Sequence, residues 1–239
     1  MVNCWARCLG DCGTTQSREH YLSRSIVGSG DILISGFPFL KGETRSIPGD
    51  RLVAKMLCKT HNGRLSPLDA AAGHFFQVLS AFRYRGLMRA SGARKPGGID
   101  MYEVDGAFVE RWMLKTLINV MFERELGSDQ RWHPPELWVR CAFGTTSFPD
   151  RCGLYLLPGE GWDSLSEKFA IGILPLTRSD ADSTLIGGQF RMGNLQFALT
   201  FERLHETHQR LYRVRALKDK PSLDLRQIIH FRWSSLSSS

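Results

Sequence analysis

Seven side chains near the start of the chain have the types and spacing for metal and acid–base chemistry. Cys8 and Cys12 flank three residues that include Gly10, and Cys58 and His61 flank two. Both gaps suit paired ligands on a tight turn, and three thiolates with one imidazole make a tetrahedral zinc site. Glu19-His20 follows the first pair, and Asn62 directly follows the second. One ion joining the pairs would draw the carboxylate, the imidazole and the amide together. Those three groups serve phosphodiester hydrolysis. A neutral imidazole takes a proton from water near pH 7. A hard cation such as Mg2+ prefers oxygen donors of the kind Glu19 and Asn62 offer, and acts as Lewis acid and template. The zinc, with all four positions filled by protein, would supply rigidity alone. Cys4 leaves the ligand choice open. Cys4 and Cys8 repeat the spacing of Cys8 and Cys12, so Cys4 is either free or replaces one of them.

The succession Cys-x3-Cys, Glu19-His20 and Leu57-Cys58-Lys59-Thr60-His61-Asn62 resembles the zinc-containing HNH nucleases, in the pattern of the phage endonuclease VII type. The resemblance implies a treble-clef-like ββα-metal module. In it Glu19 and Asn62 would hold a catalytic Mg2+ or Mn2+, and His20 would be the general base. Cys8, Cys12, Cys58 and His61 would hold a structural Zn2+. The sequence departs from the family in three ways. The first pair encloses three residues where two are commoner, His61 stands where the family usually has a cysteine, and a long segment separates His20 from Cys58. The resemblance covers roughly the first 65 to 80 residues. It implies DNA, or RNA, as substrate, and suggests a setting in restriction or anti-phage defence.

The elements that must position these groups divide the expected α+β fold into three regions: a zinc module over 1–65, a helical segment over 66–130 and an antiparallel β-rich domain over 131–239. In the first, 32–37 and 52–57 are short apolar runs suited to strands. In the second, Ser66-Pro67-Leu68-Asp69 is a helix start, with Ser66 as cap and Asp69 answering it. Another helix should begin near Asp105, its apolar stripe formed by Phe108, Trp112, Leu117 and Met121. Such stripes are core rather than cofactor sites. Beyond about 137, strands are expected at 138–143, 154–157, 169–174, 185–192, 195–201, 211–217 and 228–233, with a turn at Gly193-Asn194. This β-rich part would choose the substrate, form a homo-oligomer or answer a regulatory partner.

Charge and cysteine usage narrow the setting. A net charge of +7 and a pI near 9.3 favour an anionic partner, nucleic acid being the commonest. Arg83, Arg85, Arg89, Arg94 and Lys95 form one basic group, and Arg210, Arg213, Arg215, Lys218 and Lys220 another. Six cysteines are too few for a disulfide scaffold of 239 residues. No apolar run reaches the length of a membrane span, so a cytoplasmic protein without membrane contact is expected. Two further readings of the same residues stand beside the nuclease. In one, the zinc module binds nucleic acid or protein without cutting. In the other, the zinc only staples the N-terminus.

Overall fold

The computed structural model describes residues 2–27, 30–90, 99–122, 132–157, 170–178, 184–193, 195–204, 211–218 and 226–233. Along the chain run β1 (Gln16–His20), α1 (Arg24–Val27), β2 (Asp31–Ser35), β3 (Arg45–Pro48), β4 (Val53–Cys58), α2 (Lys59–Arg64) and α3 (Ser66–Ala90). Then come β5 (Ile99–Asp105), α4 (Gly106–Met121), α5 (Glu136–Phe143), β6 (Gly153–Leu157), β7 (Ala170–Thr177), β8 (Leu185–Met192) and β9 (Leu195–Thr200). Last are β10 (Leu211–Tyr212), β11 (Ala216–Lys218) and β12 (Arg226–Arg232). The architecture is mixed α+β. No helix among the described residues is long and apolar enough to cross a membrane.

Three sheets carry the strands. β1 and β4 form an antiparallel pair, and β11-β12-β5 a second sheet. The largest has seven strands in the order β10-β6-β9-β8-β7-β2-β3. Two strands from the N-terminal third thus finish a sheet built mostly from the C-terminal part. They join through a parallel β2–β7 junction, and β12 and β5 also pair in parallel. The junction depends on Gly36, whose φ is +81° and where a Cβ would fall 1.7 Å from the Ile173 carbonyl oxygen. Only glycine takes that conformation cheaply in so small a space.

α4 is the hub. Thirteen of its 16 residues are buried, so it is enclosed by other elements nearly all round, and its buried Glu110, Lys115 and Asn119 require polar partners. It touches α3, α5, β5, β12 and three strands of the large sheet. Its close approach to β8 relies on Gly188, where a Cβ would meet Leu117 at 2.7 Å. The expected start near Asp105 agrees with the structure: the Asp105 carboxylate accepts from the Phe108 N–H, satisfying an orphan donor of the first turn.

Several local expectations differ from the structure. The strand expected at 211–217 is split into β10 and β11, which lie in different sheets, and the segment expected to be helical over 66–130 contains β5. Residues 138–143 are helix, not strand. Glu136 pairs with Arg140 at 2.7 Å one turn on, and Gly144, with φ of 69°, ends the turn. Trp138, Val139, Cys141 and Ala142 are buried at helical spacing, which a short apolar run conceals. At the head of α3, Ser66 donates back to the Gly63 carbonyl rather than capping. Asp69 does not answer it, because its carboxylate is engaged by Ser23 and Lys115.

Candidate metal centre and the polar network beside it

The β1–β4 pair sets the site. Gln16 lies opposite Cys58, Ser17 opposite Leu57, Glu19 opposite Ala54 and His20 opposite Val53. The register shifts between Ser17 and Glu19, so Arg18 faces both Lys55 and Met56. That extra residue lets Met56 and Leu57, neighbours in sequence, both be buried. β4 then runs directly into α2, and Cys58 caps it by accepting from the His61 N–H. The N-terminal segment folds back alongside. Trp5 N–H donates to the Met56 carbonyl at 3.1 Å. The Gln16 side chain donates to the Asn3 and Leu57 carbonyls, 2.8 Å each.

This folding brings Cys4, Cys12, Cys58 and His61 together, with one ligand atom from each, all within 4.8 Å of one another. His61 Nδ1 is 3.3 Å from Cys4 Sγ, 3.3 Å from Cys58 Sγ and 3.6 Å from Cys12 Sγ. Zinc bond lengths of about 2.0 Å to nitrogen and about 2.3 Å to sulfur put those atoms roughly 3.5 Å apart around a tetrahedral ion. The donor set therefore fits zinc. The other ring nitrogen of His61 faces Asp11 Oδ1 at 2.7 Å, and Arg64 holds Asp11 Oδ2 at 2.6 Å. A carboxylate behind a ligating imidazole fixes its tautomer and raises its basicity. The His61 hydrogen bond is the chief cause that lowers the Asp11 carboxyl below its usual value. Phe143, at the end of α5, covers the centre, packing edge-on against His61 and Trp5.

The ligand set corrects one expectation. Cys8 is exposed and lies outside the group, and Cys4, fully buried, takes its place. The reason is the 3-10 turn over Arg7–Leu9, closed by Gly10 at φ of 81°. It carries Cys8 outward while the chain returns at Cys12. Burial pushes the Cys4 thiol up to about 12. At Cys58 burial acts the same way, but hydrogen bonds from the His61 and Gly13 backbone and the Cys4 and Cys12 side chains together outweigh it and hold the thiol below its ordinary value. Bound zinc would deprotonate all three thiols.

The other expected site residues lie along the same strand pair: Glu19 and the His20 backbone share Asn119 as a partner, and Asn62 turns to Ser17. Glu19 is 3% exposed, and its Oε1 lies 2.6 Å from Lys115 Nζ and 3.4 Å from Asn119 Nδ2. Burial is the chief cause of its raised pKa, which Lys115 opposes. Asn62 donates to the Ser17 hydroxyl at 2.6 Å. His20 is half-buried, and its backbone carbonyl accepts from Asn119. Burial first, then the charges of Arg24 and Lys115, hold its imidazole below the ordinary value near 6.5. Both effects favour its neutral form. Of the donors proposed for a catalytic Mg2+, Glu19 Oε1 is already engaged by an ammonium, whereas Asn62 bonds Ser17 through its amide nitrogen and not through the oxygen a metal would take. Glu19 as it stands does not fit a second metal.

Lys115, Asp69 and Asn119 escape the sequence reading, because each sits in a helix that reads as core or cap. The one available signal is spacing. Trp112, Lys115 and Asn119 share a face of α4, and a lysine and an asparagine on a stripe otherwise buried require partners. Of the basic residues, Arg213 is committed to Glu110 through two bonds of 3.1 and 2.9 Å. It is not free for phosphate. Tyr84 is exposed, while Arg94, Lys95, Arg210 and Lys220 and the side chains of Arg85 and Arg89 lie outside the described residues, as does Asn194 of the expected turn. His74 bonds the Glu103 carbonyl at 2.9 Å and takes no part in the site.

No family model matches this chain, no curated protein matches its sequence, and no solved structure matches its fold.

Proposed function

We propose that the N-terminal region is a treble-clef-like, HNH-type module that cleaves phosphodiester bonds in nucleic acid. His20 would be its proton acceptor, and Zn2+ on Cys4, Cys12, Cys58 and His61 its structural pin. One observation carries the reading. The strand bearing Glu19-His20 pairs directly with the strand that enters the ligand-bearing helix, and Asn62 of that helix bonds back to Ser17. The base and the zinc pin are thus parts of one small unit. A half-buried imidazole whose neutral form is favoured by burial first, and then by neighbouring cations, can accept a proton from water. Arg18 and Arg24, among the charges that lower its pKa, are exposed and can face a phosphate. The net charge of +7 favours the same polyanionic substrate. A role for the seven-stranded sheet in substrate choice, oligomerisation or regulation belongs to the same proposal.

The engagement of Glu19 by Lys115 favours a second reading, a zinc module that binds nucleic acid without cutting it. Nicking of supercoiled plasmid by the zinc-loaded protein, with and without Mg2+ or Mn2+, separates the two. The nuclease reading expects nicking that His20→Ala abolishes at unchanged zinc content. Salt-dependent retardation of DNA and RNA, with neither ever cut, would establish the second reading instead.

A further inference from the structure

We propose that Lys115 is a built-in cation. Its ammonium fills, between Glu19 and Asp69, the position that a divalent ion would need if Glu19 were a metal ligand. The inference goes beyond the proposed activity and applies equally to a module that only binds.

The geometry is that of a finished site. Lys115 Nζ stands 2.6 Å from Glu19 Oε1 and 2.6 Å from Asp69 Oδ1. The lysine and glutamate side chains are 2% and 4% exposed, and only the Asp69 side, at 29%, is open to water. Each carboxylate oxygen that meets Lys115 also accepts a second hydrogen bond. Asn119 donates to Glu19, and its own oxygen accepts from Trp5 Nε1 at 3.0 Å. Ser23 donates to Asp69, and its oxygen accepts from Trp112 Nε1 at 2.8 Å. Both indole donors are thus committed to orienting the groups that hold the carboxylates. Two anions facing one space in low dielectric need a cation there. In metal sites that cation is a divalent ion with about six oxygen ligands. Here the side chain of a buried helix supplies it.

The consequence can be read without an activity assay, so this inference and the proposed activity fail separately. Mn2+ is titrated into the zinc-loaded protein and followed by electron paramagnetic resonance. The wild type and Glu19→Gln should bind identically, because Glu19 contributes no metal site. A Lys115→Met variant leaves two carboxylates facing one space. It should lose thermal stability, gain one equivalent of bound Mn2+ and recover stability when Mn2+ is added, and Asp69→Asn in the same chain should erase that gain. A wild-type protein that binds one Mn2+ lost in Glu19→Gln overturns the inference. So does a folded Lys115→Met variant that gains none. Should Lys115→Met fail to fold, the comparison of wild type with Glu19→Gln still decides.

Discussion

Two polar clusters on either side of β1 solve the same problem in opposite ways. The Cys4/Cys12/Cys58/His61 centre gathers soft donors that could hold an ion from outside. The Glu19/Lys115/Asp69 network gathers hard donors and brings its own cation, carried by a helix about a hundred residues downstream. The clusters are bridged by β1 and by Trp5, which follows one ligand and donates to Asn119 in the other network. The difference teaches where each kind of dependence lies. A thiol centre that holds zinc would tie local stability to metal supply. The carboxylate network ties the strand carrying His20 to the core of the whole fold, whatever the metal supply.

That contrast can be broken or sharpened by experiment. The largest effect is expected at the zinc ligands, since structural zinc binding of this kind is worth about 10–16 kcal/mol in isolated fingers. Cys4→Ser should lose the ion and expose the N-terminal segment to proteolysis, whereas Cys8→Ser should keep one equivalent of zinc, as measured by metal analysis. The reverse result would reinstate Cys8 as the ligand. A smaller effect is expected one bond further out. Asp11→Asn should leave the fold intact and weaken zinc about 10- to 100-fold in competition with a chelator. An unchanged affinity would show that Asp11 merely touches His61.

The smallest effect concerns pH. His20 is held below its unfolded value near 6.5, so the folded state disfavours its charged form. Its contribution to stability is complete above 6.5 and is lost as pH falls from there through the depressed folded value. Denaturant midpoints of wild type and His20→Gln, at fixed zinc, should therefore converge above that pH and diverge below it, the wild type losing more. Parallel curves would place His20 in water.

Much of the scaffold was legible from local rules. β8 matches the expected 185–192 run, where Leu185, Phe190 and Met192 are buried and Arg191 is exposed. The start of α4 was legible because Asp105 is a cap, and caps act over three residues. α5 was not, since an eight-residue apolar stretch carries too little periodicity to tell helix from strand. At the metal centre two paired ligands and their nature were readable. The choice between Cys4 and Cys8 was not, because equal spacing says nothing about which thiol a 3-10 turn directs outward.

Residue type and short-range spacing thus established that soft ligands and a Glu-His pair lie near one another, since thiolate chemistry and tight turns act over a few residues. What Glu19 faces was settled by long-range packing. A lysine on α4 and an aspartate on α3 converge on it, and no local pattern encodes that meeting. Burial makes any unpaired charge too costly to remain, so the assembled fold, rather than the neighbouring sequence, chose the partner.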